Sequence, residues 1–274
     1  MDKIALILVV ESSENNKGDI VDKYDTGRTE MPYEEEAIMC VKMWRKNGGD
    51  YANIPIYAIN INDNPPSKVC QKELKNMGVI YIENYIYETK SYPCGYYNVP
   101  LACKMLEREL TEDKLIHIDL DMYLLRPPTK DLLYVQPGSL CKIAINEWRP
   151  TDNLDEKELQ RLRQYPFEIE TNFMVSKRMS LFYDTWYREL KEKYNKIKYE
   201  YTSKTLSIFE ERICDIMYFD NRYPFEFFKE GYQLNHEKII HKDAFFLHCH
   251  MDNPDRFNRL LKLYLQVKNR EHNS

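Results

Sequence analysis

The sequence lacks the long apolar run of about 20 residues that a membrane-spanning helix needs. Its first apolar stretch, IALILVV at residues 4–10, stops at Glu11 and carries no cleavage-site pattern. No other segment approaches the length of a membrane span. This first stretch therefore predicts a buried strand, and we expect a cytoplasmic protein.

The sequence also contains no CxxC motif and carries no positive net charge. The seven cysteines form no CxxC pair and are scattered from Cys40 to Cys249, which is typical of reduced thiols in an intracellular protein. The formal net charge of −5 gives no electrostatic case for nucleic acid as the main partner.

The chain has no linker rich in glycine, serine and proline, no internal repeat and no low-complexity tract. Its 274 residues are enough to bury a substantial core, so we place one domain at residues 1–252. Residues 253–274 predict an amphipathic helix with Phe257, Leu260 and Leu261 on one face. This helix either packs on the domain or lies on an anionic membrane surface as a peripheral contact.

The sequence does contain alternating strand and helix patterns. Strands are predicted at residues 4–10, 54–61, 79–83 and 115–118, and helices at residues 33–47, 67–77 and 99–110. The second half predicts strands at residues 140–146, 171–176 and 238–250, and helices at residues 177–194 and 208–219. Alternation of this kind predicts an α/β fold with a mostly parallel, doubly wound sheet. Ligands of such sheets bind outside the carboxyl ends of the strands.

Two carboxylates, Asp119 and Asp121, follow one of these predicted strands in the stretch KLIHIDLDMYLLRPP, residues 114–128. Carboxylates are rarely buried without a partner. Side chains at i and i+2 of an extended segment point the same way, and a turn there can also hold Mg²⁺ or Mn²⁺, which prefer oxygen ligands. Displacement at a carbon or phosphorus bonded to a diphosphate uses such a cation. The alternative is a pair of ordinary carboxylates that cap a loop.

The longer stretch KLIHIDLDMYLLRPPTKDLL resembles the Asp-x-Asp region of glycosyltransferases with the GT-A fold, including glycogenin-like enzymes. Two later stretches, TNFMVSKRMSLFYDTWYREL and SIFEERICDIMYF, resemble segments of bacterial capsular-polysaccharide sugar transferases. The resemblance implies a GT-A, Rossmann-like, doubly wound mixed sheet with helices on both faces. It also implies a hexosyl- or pentosyltransferase that moves a sugar from a nucleotide sugar, with a UDP-sugar as the expected donor, to a glycan or glycoconjugate acceptor.

The resemblance assigns the metal and donor residues. Asp119 and Asp121 match the Asp-x-Asp pair that holds Mn²⁺ or Mg²⁺ and the diphosphate. Many relatives add a histidine, for which His250 in FFLHCHM is favoured and His248 is the second choice. Further donor-binding candidates are Val9, Val10 and Lys104. The alternative for Lys104 is an ordinary surface lysine.

The resemblance also suggests catalytic and acceptor residues. An inverting enzyme needs a general base, for which Glu211 is the candidate and Asp215 lies one helical turn later. Glu211 alternatively pairs with an arginine inside the fold. Apart from the resemblance, Glu147 and Trp148 are acceptor-binding candidates because an aromatic face suits a sugar ring, and the alternative for Trp148 is packing in the core. Asn172 matches the second resembling segment.

Two other functions remain open at the level of sequence. Haloacid-dehalogenase-like phosphatases also place Asp-x-Asp after a strand, but they want Thr or Val two residues after the second Asp, where this chain has Tyr123. A transferase fold without turnover would instead act as a nucleotide- or glycan-binding module. The intact Asp-x-Asp and the late histidines argue against that module.

Overall fold

The computed structural model describes residues 2–12, 33–61, 64–84, 98–146, 168–197, 209–229, 232–234, 241–249 and 254–271. The strands are β1 (Ile4–Val9), β2 (Ile56–Asn60), β3 (Val79–Glu83), β4 (Lys114–Ile118), β5 (Met122–Leu124), β6 (Cys141–Asn146), β7 (Glu168–Lys177), β8 (Phe225–Phe227), β9 (Gln233–Leu234) and β10 (Phe246–His248). The helices are α1 (Tyr33–Asn47), α2 (Lys68–Asn76), α3 (Asn98–Glu109), α4 (Phe182–Ile197), α5 (Phe209–Phe219) and α6 (Pro254–Glu271).

Seven strands form one mixed sheet in the order β3-β2-β1-β4-β7-β6-β8. Strands β1 to β4 are parallel to one another, and β7 runs antiparallel to both β4 and β6. The chain steps outward from β1 to β3 and then returns to add β4 on the other side of β1. This reversal is a topological switch point, and the carboxyl ends of β1 and β4 border it. The predicted α/β sheet is confirmed.

Both faces of this sheet are covered by helices because its strands alternate their apolar side chains between two cores. Leu6 and Leu8 of β1 pack with Trp44 on the face covered by α1 and α2. Ile7 of β1 packs with Trp186 on the face covered by α3, α4 and α5. The predicted placement of helices on both faces is confirmed.

A second, smaller sheet has the order β5-β10-β9 and lies next to the end of β4. Its pairing of β5 with β10 is antiparallel and places His248 opposite Met122. Helix α6 covers this sheet through Phe257, Leu260 and Tyr264, which are buried. The helix therefore packs on the domain. The predicted boundary at residue 252 lies outside the described residues, and membrane contact stays a prediction.

Strand β7 bulges beside the end of β4. Met174 pairs with Ile143 of β6, but the next β6 residue, Ala144, pairs with Glu170, so residues 171–173 have no partner on β6. Bulges redirect side chains and are common next to binding sites. The bulge lies where β7 passes the carboxyl end of β4, since Phe173 pairs with Ile118.

Several predicted element boundaries were wrong. The helix expected from residue 177 begins at Phe182, because β7 continues to Lys177 and Leu181 adopts a left-handed φ of 53° that interrupts a helix. The strand expected at residues 238–250 is reduced to Phe246–His248 within the described residues. β5, β8 and β9 were not predicted, since strands of two or three residues leave little periodicity to detect.

Two expectations from composition can be compared with the described residues. The six cysteines among them are buried and none forms a disulfide. No helix in the described ranges combines the length and the apolar character needed to cross a bilayer.

Candidate active site

Asp119 and Asp121 lie in a turn that directly follows β4. The backbone N–H of Met122 donates to the carbonyl of Asp119 at 3.1 Å, and the N–H of Asp119 donates to the carbonyl of Asn172 in the β7 bulge at 2.8 Å. The two carboxylates differ in exposure, since the side chain of Asp119 is 37% exposed and that of Asp121 is 7% exposed. Asp121 therefore faces inward and Asp119 faces the solvent-accessible edge.

His248 is the histidine that the described structure brings to this turn. Its Nε2 lies 3.2 Å from Oδ2 of Asp121, and the adjacent Cys249 N–H donates to the Asp121 carbonyl at 3.1 Å. Burial is the largest single effect on His248 and lowers its pKa, but the carboxylates of Asp121, Glu170 and Asp119 together outweigh burial and raise this pKa to about 9. His250, the favoured ligand in the sequence, lies outside the described residues, so the choice between the two histidines stays a prediction.

A second histidine, His117, lies beneath the turn and was not singled out in the sequence. Burial lowers its pKa to about 4, with a partly opposing effect from the Thr171 backbone, so its imidazole is neutral at pH 7. Its Nε2 is 3.8 Å from Oδ1 of Asp119. Because the ring is neutral, this contact is no ion pair.

Four polar side chains next to His248 form a buried network near the N-terminal end of β7. Asn172 Nδ2 donates to Glu170 Oε2 at 3.0 Å and to Gln233 Oε1 at 3.2 Å, and it lies 3.4 Å from Nδ1 of His248. The Tyr232 hydroxyl donates to Asn172 Oδ1 at 2.9 Å. Asn172 thus lies beside the candidate site, although its acceptor role stays a prediction. Glu170, Gln233 and Tyr232 were missed, and the alternation of polar residues at 168, 170 and 172 was the available signal.

The residues present fit a divalent cation. Two ligands of an octahedral ion at about 2.1 Å are separated by about 3 Å, which matches the 3.2 Å between Asp121 Oδ2 and His248 Nε2. Carboxylate oxygens suit Mg²⁺ and Mn²⁺, and the imidazole nitrogen adds a donor that divalent transition metals accept. Negative charge is concentrated here: burial and then Asp121 and Asp119 raise the pKa of the buried Cys40 thiol on α1. Among the described residues, no three His, Cys, Asp or Glu groups enclose a cation by themselves, so substrate oxygens or further ligands must complete the shell.

The loops at the ends of β1 and β2 are fastened together beside this turn. Asn60 Nδ2 donates to the carbonyls of Val10 and Asn64 at 3.2 Å each, and the Ser12 N–H donates to the Asn64 carbonyl at 3.1 Å. Val9 is half-buried at the end of β1. The backbone of Val9 and Val10 therefore borders the switch point, and contact with a nucleoside stays a prediction.

Lys104 contacts α4 in the structure. Its Nζ lies 3.5 Å from Asp184 Oδ1 and 4.1 Å from the centre of the Tyr187 ring, and Arg108 also pairs with Asp184. These contacts account for the lysine without a ligand. A contact between Lys104 and the donor stays a prediction.

The catalytic candidates lie on α5. The backbone of Glu211 belongs to this helix, but its side chain is outside the described set. Asp215 is 1% exposed, and its Oδ1 accepts a hydrogen bond from the Ile169 N–H of β7 at 3.0 Å. Glu147 and Trp148 lie outside the described residues. The catalytic and acceptor roles of these residues stay predictions.

We expect Asp215→Ala to lower the free energy of unfolding by about 1–3 kcal/mol, because it leaves the buried Ile169 N–H without its acceptor. Urea denaturation measures this loss. Glu109→Ala on the exposed end of α3 is the control and should change stability by less than about 0.5 kcal/mol. Equal stability of the two variants would show that Asp215 does not support β7.

Neither a family model nor a curated protein sequence matches this chain. Solved structures do: an active-site mutant of LgtC aligns with a TM-score of 0.57 at 10% identity, covering 89% of this chain and 86% of LgtC. The bifunctional glycosyltransferase WbbM aligns with a TM-score of 0.54 at 10% identity, covering 90% of this chain and 45% of WbbM. Mouse xyloside xylosyltransferase 1 aligns with a TM-score of 0.52 at 9% identity, covering 90% of this chain and 97% of the mouse chain.

These proteins differ in how much of their own length this chain spans. This chain spans 46% of the glycosyltransferase GlyE from Streptococcus pneumoniae and 45% of WbbM, but most of LgtC and of the xylosyltransferase. The chain therefore has the GT-A fold of glycosyltransferases.

Proposed function

We propose that this protein is a metal-dependent glycosyltransferase that moves a hexosyl or pentosyl group from a UDP-sugar to a glycan acceptor. The observation that carries the proposal is the convergence of Asp121 and His248 at the carboxyl end of β4, at the switch point of the sheet. Solved structures that share the fold are glycosyltransferases, and LgtC was crystallised with donor and acceptor sugar analogs. These likenesses support the proposal at the level of fold.

The proposed reaction needs one bond to form and one to break. An acceptor hydroxyl oxygen bonds to the anomeric carbon, the bond from that carbon to the diphosphate oxygen breaks, and its electron pair leaves with the nucleoside diphosphate. The proton of the acceptor hydroxyl passes to a general base, for which Glu211 stays the candidate in an inverting enzyme, or otherwise to the leaving diphosphate. Asp119, Asp121 and His248 would hold Mn²⁺ or Mg²⁺, and such an ion offsets the negative charge that builds on the leaving diphosphate.

The other parts of the site flank the turn on two sides, which supports a nucleotide sugar bound between them. The fastened loops after β1 and β2 offer backbone groups at Val9 and Val10 to a nucleoside. Asn172 and its polar neighbours lie on the opposite side of the turn, on β7. A sugar bound between these two sides would have its anomeric carbon near the diphosphate.

Thermal unfolding in the presence of nucleotides tests the proposal. We expect UDP at about 100 times its Kd to stabilise the protein by about 2.7 kcal/mol when Mn²⁺ is present, which raises Tm by about 5 °C or more. EDTA should remove this shift, and GDP should give a smaller one. UDP-glucose, UDP-galactose and UDP-xylose complete the panel and identify the preferred sugar.

The outcomes separate the alternative functions. A shift that does not depend on Mn²⁺ would contradict the metal-dependent mechanism. A Mn²⁺-dependent shift without release of UDP from any UDP-sugar, with or without a glycan mixture, would favour a binding module. The absence of any shift, together with hydrolysis of p-nitrophenyl phosphate, would favour the phosphatase.

A further inference from the structure

Glu170 is a buried carboxylate that the proposed reaction does not yet use. It is 8% exposed and lies on β7 at the edge of the bulge, where β7 extends past the carboxyl end of β4. An isolated buried carboxylate is costly, so its contacts should explain its presence. They explain one of its two oxygens.

The oxygen Oε2 of Glu170 is anchored by two amide groups. It accepts hydrogen bonds from Asn172 Nδ2 at 3.0 Å and from Gln233 Nε2 at 2.7 Å. Gln233 belongs to the small sheet and Asn172 to the large one, so the carboxylate is held from two directions. Its orientation is therefore fixed before any ligand binds, which lowers the entropic cost of using it for recognition.

The second oxygen, Oε1, has no such anchor. No donor among the described residues bonds to it, and it is not among the side-chain oxygens of those residues that are sealed from solvent without a partner. The carboxylate thus presents an accessible oxygen. A merely structural Glu170 needs only Oε2 to hold Asn172 and Gln233 in place, which leaves Oε1 available to a hydrogen-bond donor from a ligand.

The position of Glu170 indicates which group of a ligand can donate a hydrogen bond to Oε1. Its partner Asn172 lies 3.4 Å from Nδ1 of His248, whose Nε2 lies 3.2 Å from Asp121. Glu170 is therefore separated by only two side chains, Asn172 and His248, from the turn to which the proposed function assigns the diphosphate, so a sugar bonded to that diphosphate would lie on the side of the turn where Glu170 is found. Sugars present hydroxyl groups, and a carboxylate oxygen accepts hydrogen bonds from them.

We propose that Oε1 of Glu170 accepts a hydrogen bond from a hydroxyl group of the transferred sugar, which makes Glu170 a sugar-binding residue. This inference rests on the proposed function, because it requires a nucleotide sugar at the turn. Glu170 then helps to select the sugar, while Asp121 and His248 bind the diphosphate end of the same donor.

The variant Glu170→Gln separates the two oxygens. A glutamine keeps an oxygen for the donors on Asn172 and Gln233 but places an NH₂ group where Oε1 was. Isothermal titration in Mn²⁺ gives Kd for UDP and for UDP-glucose, UDP-galactose and UDP-xylose. We expect UDP to bind within about twofold of wild type, and the preferred UDP-sugar to bind about 10-fold or more weakly, as for the loss of a hydrogen bond to a charged group.

The matched control is Glu226→Gln on the edge strand β8. Glu226 also has one oxygen held by a backbone group, since its Oε2 accepts from the Gln136 N–H at 3.1 Å. It lies at the end of the sheet order, away from β4, so its substitution should change neither Kd. Deoxy analogues of the preferred UDP-sugar extend the test: the analogue that lacks the contacted hydroxyl should bind wild type and Glu170→Gln equally well.

The results distinguish failure of this inference from failure of the proposed function. If wild type binds no UDP or UDP-sugar with Mn²⁺, the proposed function fails and this inference fails with it. If wild type binds them and Glu170→Gln weakens UDP as much as the UDP-sugar, Glu170 only supports the site. Unchanged Kd values for every UDP-sugar would also overturn the sugar contact.

Discussion

Replacing Asp121 with alanine should abolish Mn²⁺-dependent binding of UDP. Asp121 is the buried member of the pair and the one in contact with His248, so its loss removes the proposed carboxylate ligand together with the partner of the imidazole. Loss of a residue that only orients a metal ligand costs about 10–100-fold in metal affinity, and loss of the ligand itself should cost at least about 100-fold. Mn²⁺ titration followed by electron paramagnetic resonance, with and without UDP, measures the effect directly.

The fold should survive this change. The backbone carbonyl of Asp121 still accepts from the Cys249 N–H, so β10 keeps its connection to the turn. Asp131→Ala is the matched control because Asp131 is exposed and its carboxylate forms a surface ion pair with Lys229. It should bind Mn²⁺ and UDP like wild type. Normal Mn²⁺ affinity in Asp121→Ala, with an unchanged Tm, would remove Asp121 from the metal site.

Replacing Phe173 with alanine should give the largest loss of stability, about 3–5 kcal/mol in the free energy of unfolding. Phe173 is fully buried in the β7 bulge, where its ring centre lies 4.4 Å from that of Phe246 and 5.1 Å from that of Phe228. The ring thus packs the large sheet against the small one. Urea denaturation measures the loss, and Met179→Ala, which changes an exposed side chain just after β7, should alter stability by less than about 0.5 kcal/mol.

The same variant should also disturb the candidate site. Phe246 begins the strand that carries His248, so a cavity at Phe173 loosens the support of the imidazole. Trp186→Ala is the informative comparison, because Trp186 is equally buried but lies on the other face of the sheet. Both variants should lose similar stability, but Phe173→Ala should lose more Mn²⁺ affinity. Equal losses of Mn²⁺ affinity would show that the two sheets are not coupled through Phe173.

The features that the sequence predicted correctly are local ones. Strands β1 and β4 are buried along almost their whole length and consist mainly of apolar residues. Asp119 and Asp121 mark the turn after β4, because they interrupt this apolar context. Helix α2 begins directly after its N-cap residue, Ser67. It ends at Asn76, two residues before Gly78, whose φ of 73° suits glycine. Each of these signals is contained in a few consecutive residues.

The features that the sequence did not predict depend on distant contacts. The β7 bulge exists because of its pairing with both β4 and β6, and no local pattern marks it. His248 reaches Asp121 because β10 pairs with β5, a strand of three residues. The carboxylate of Glu170 is held in place by Gln233, which lies on another sheet. The residue pattern of a single segment does not contain this information.

The pairing of β5 with β10 also determines when the site can form during synthesis. Asp121 leaves the ribosome more than a hundred residues before His248, and pairing across such a separation must first overcome the entropy of closing a long loop. The large sheet has its β1–β4 core available early, because those strands occupy the first half of the chain. A nascent or prematurely terminated chain that ends before β10 would thus display the two aspartates without their imidazole. We therefore expect the contact between Asp121 and His248 to form only after β10 has paired with β5.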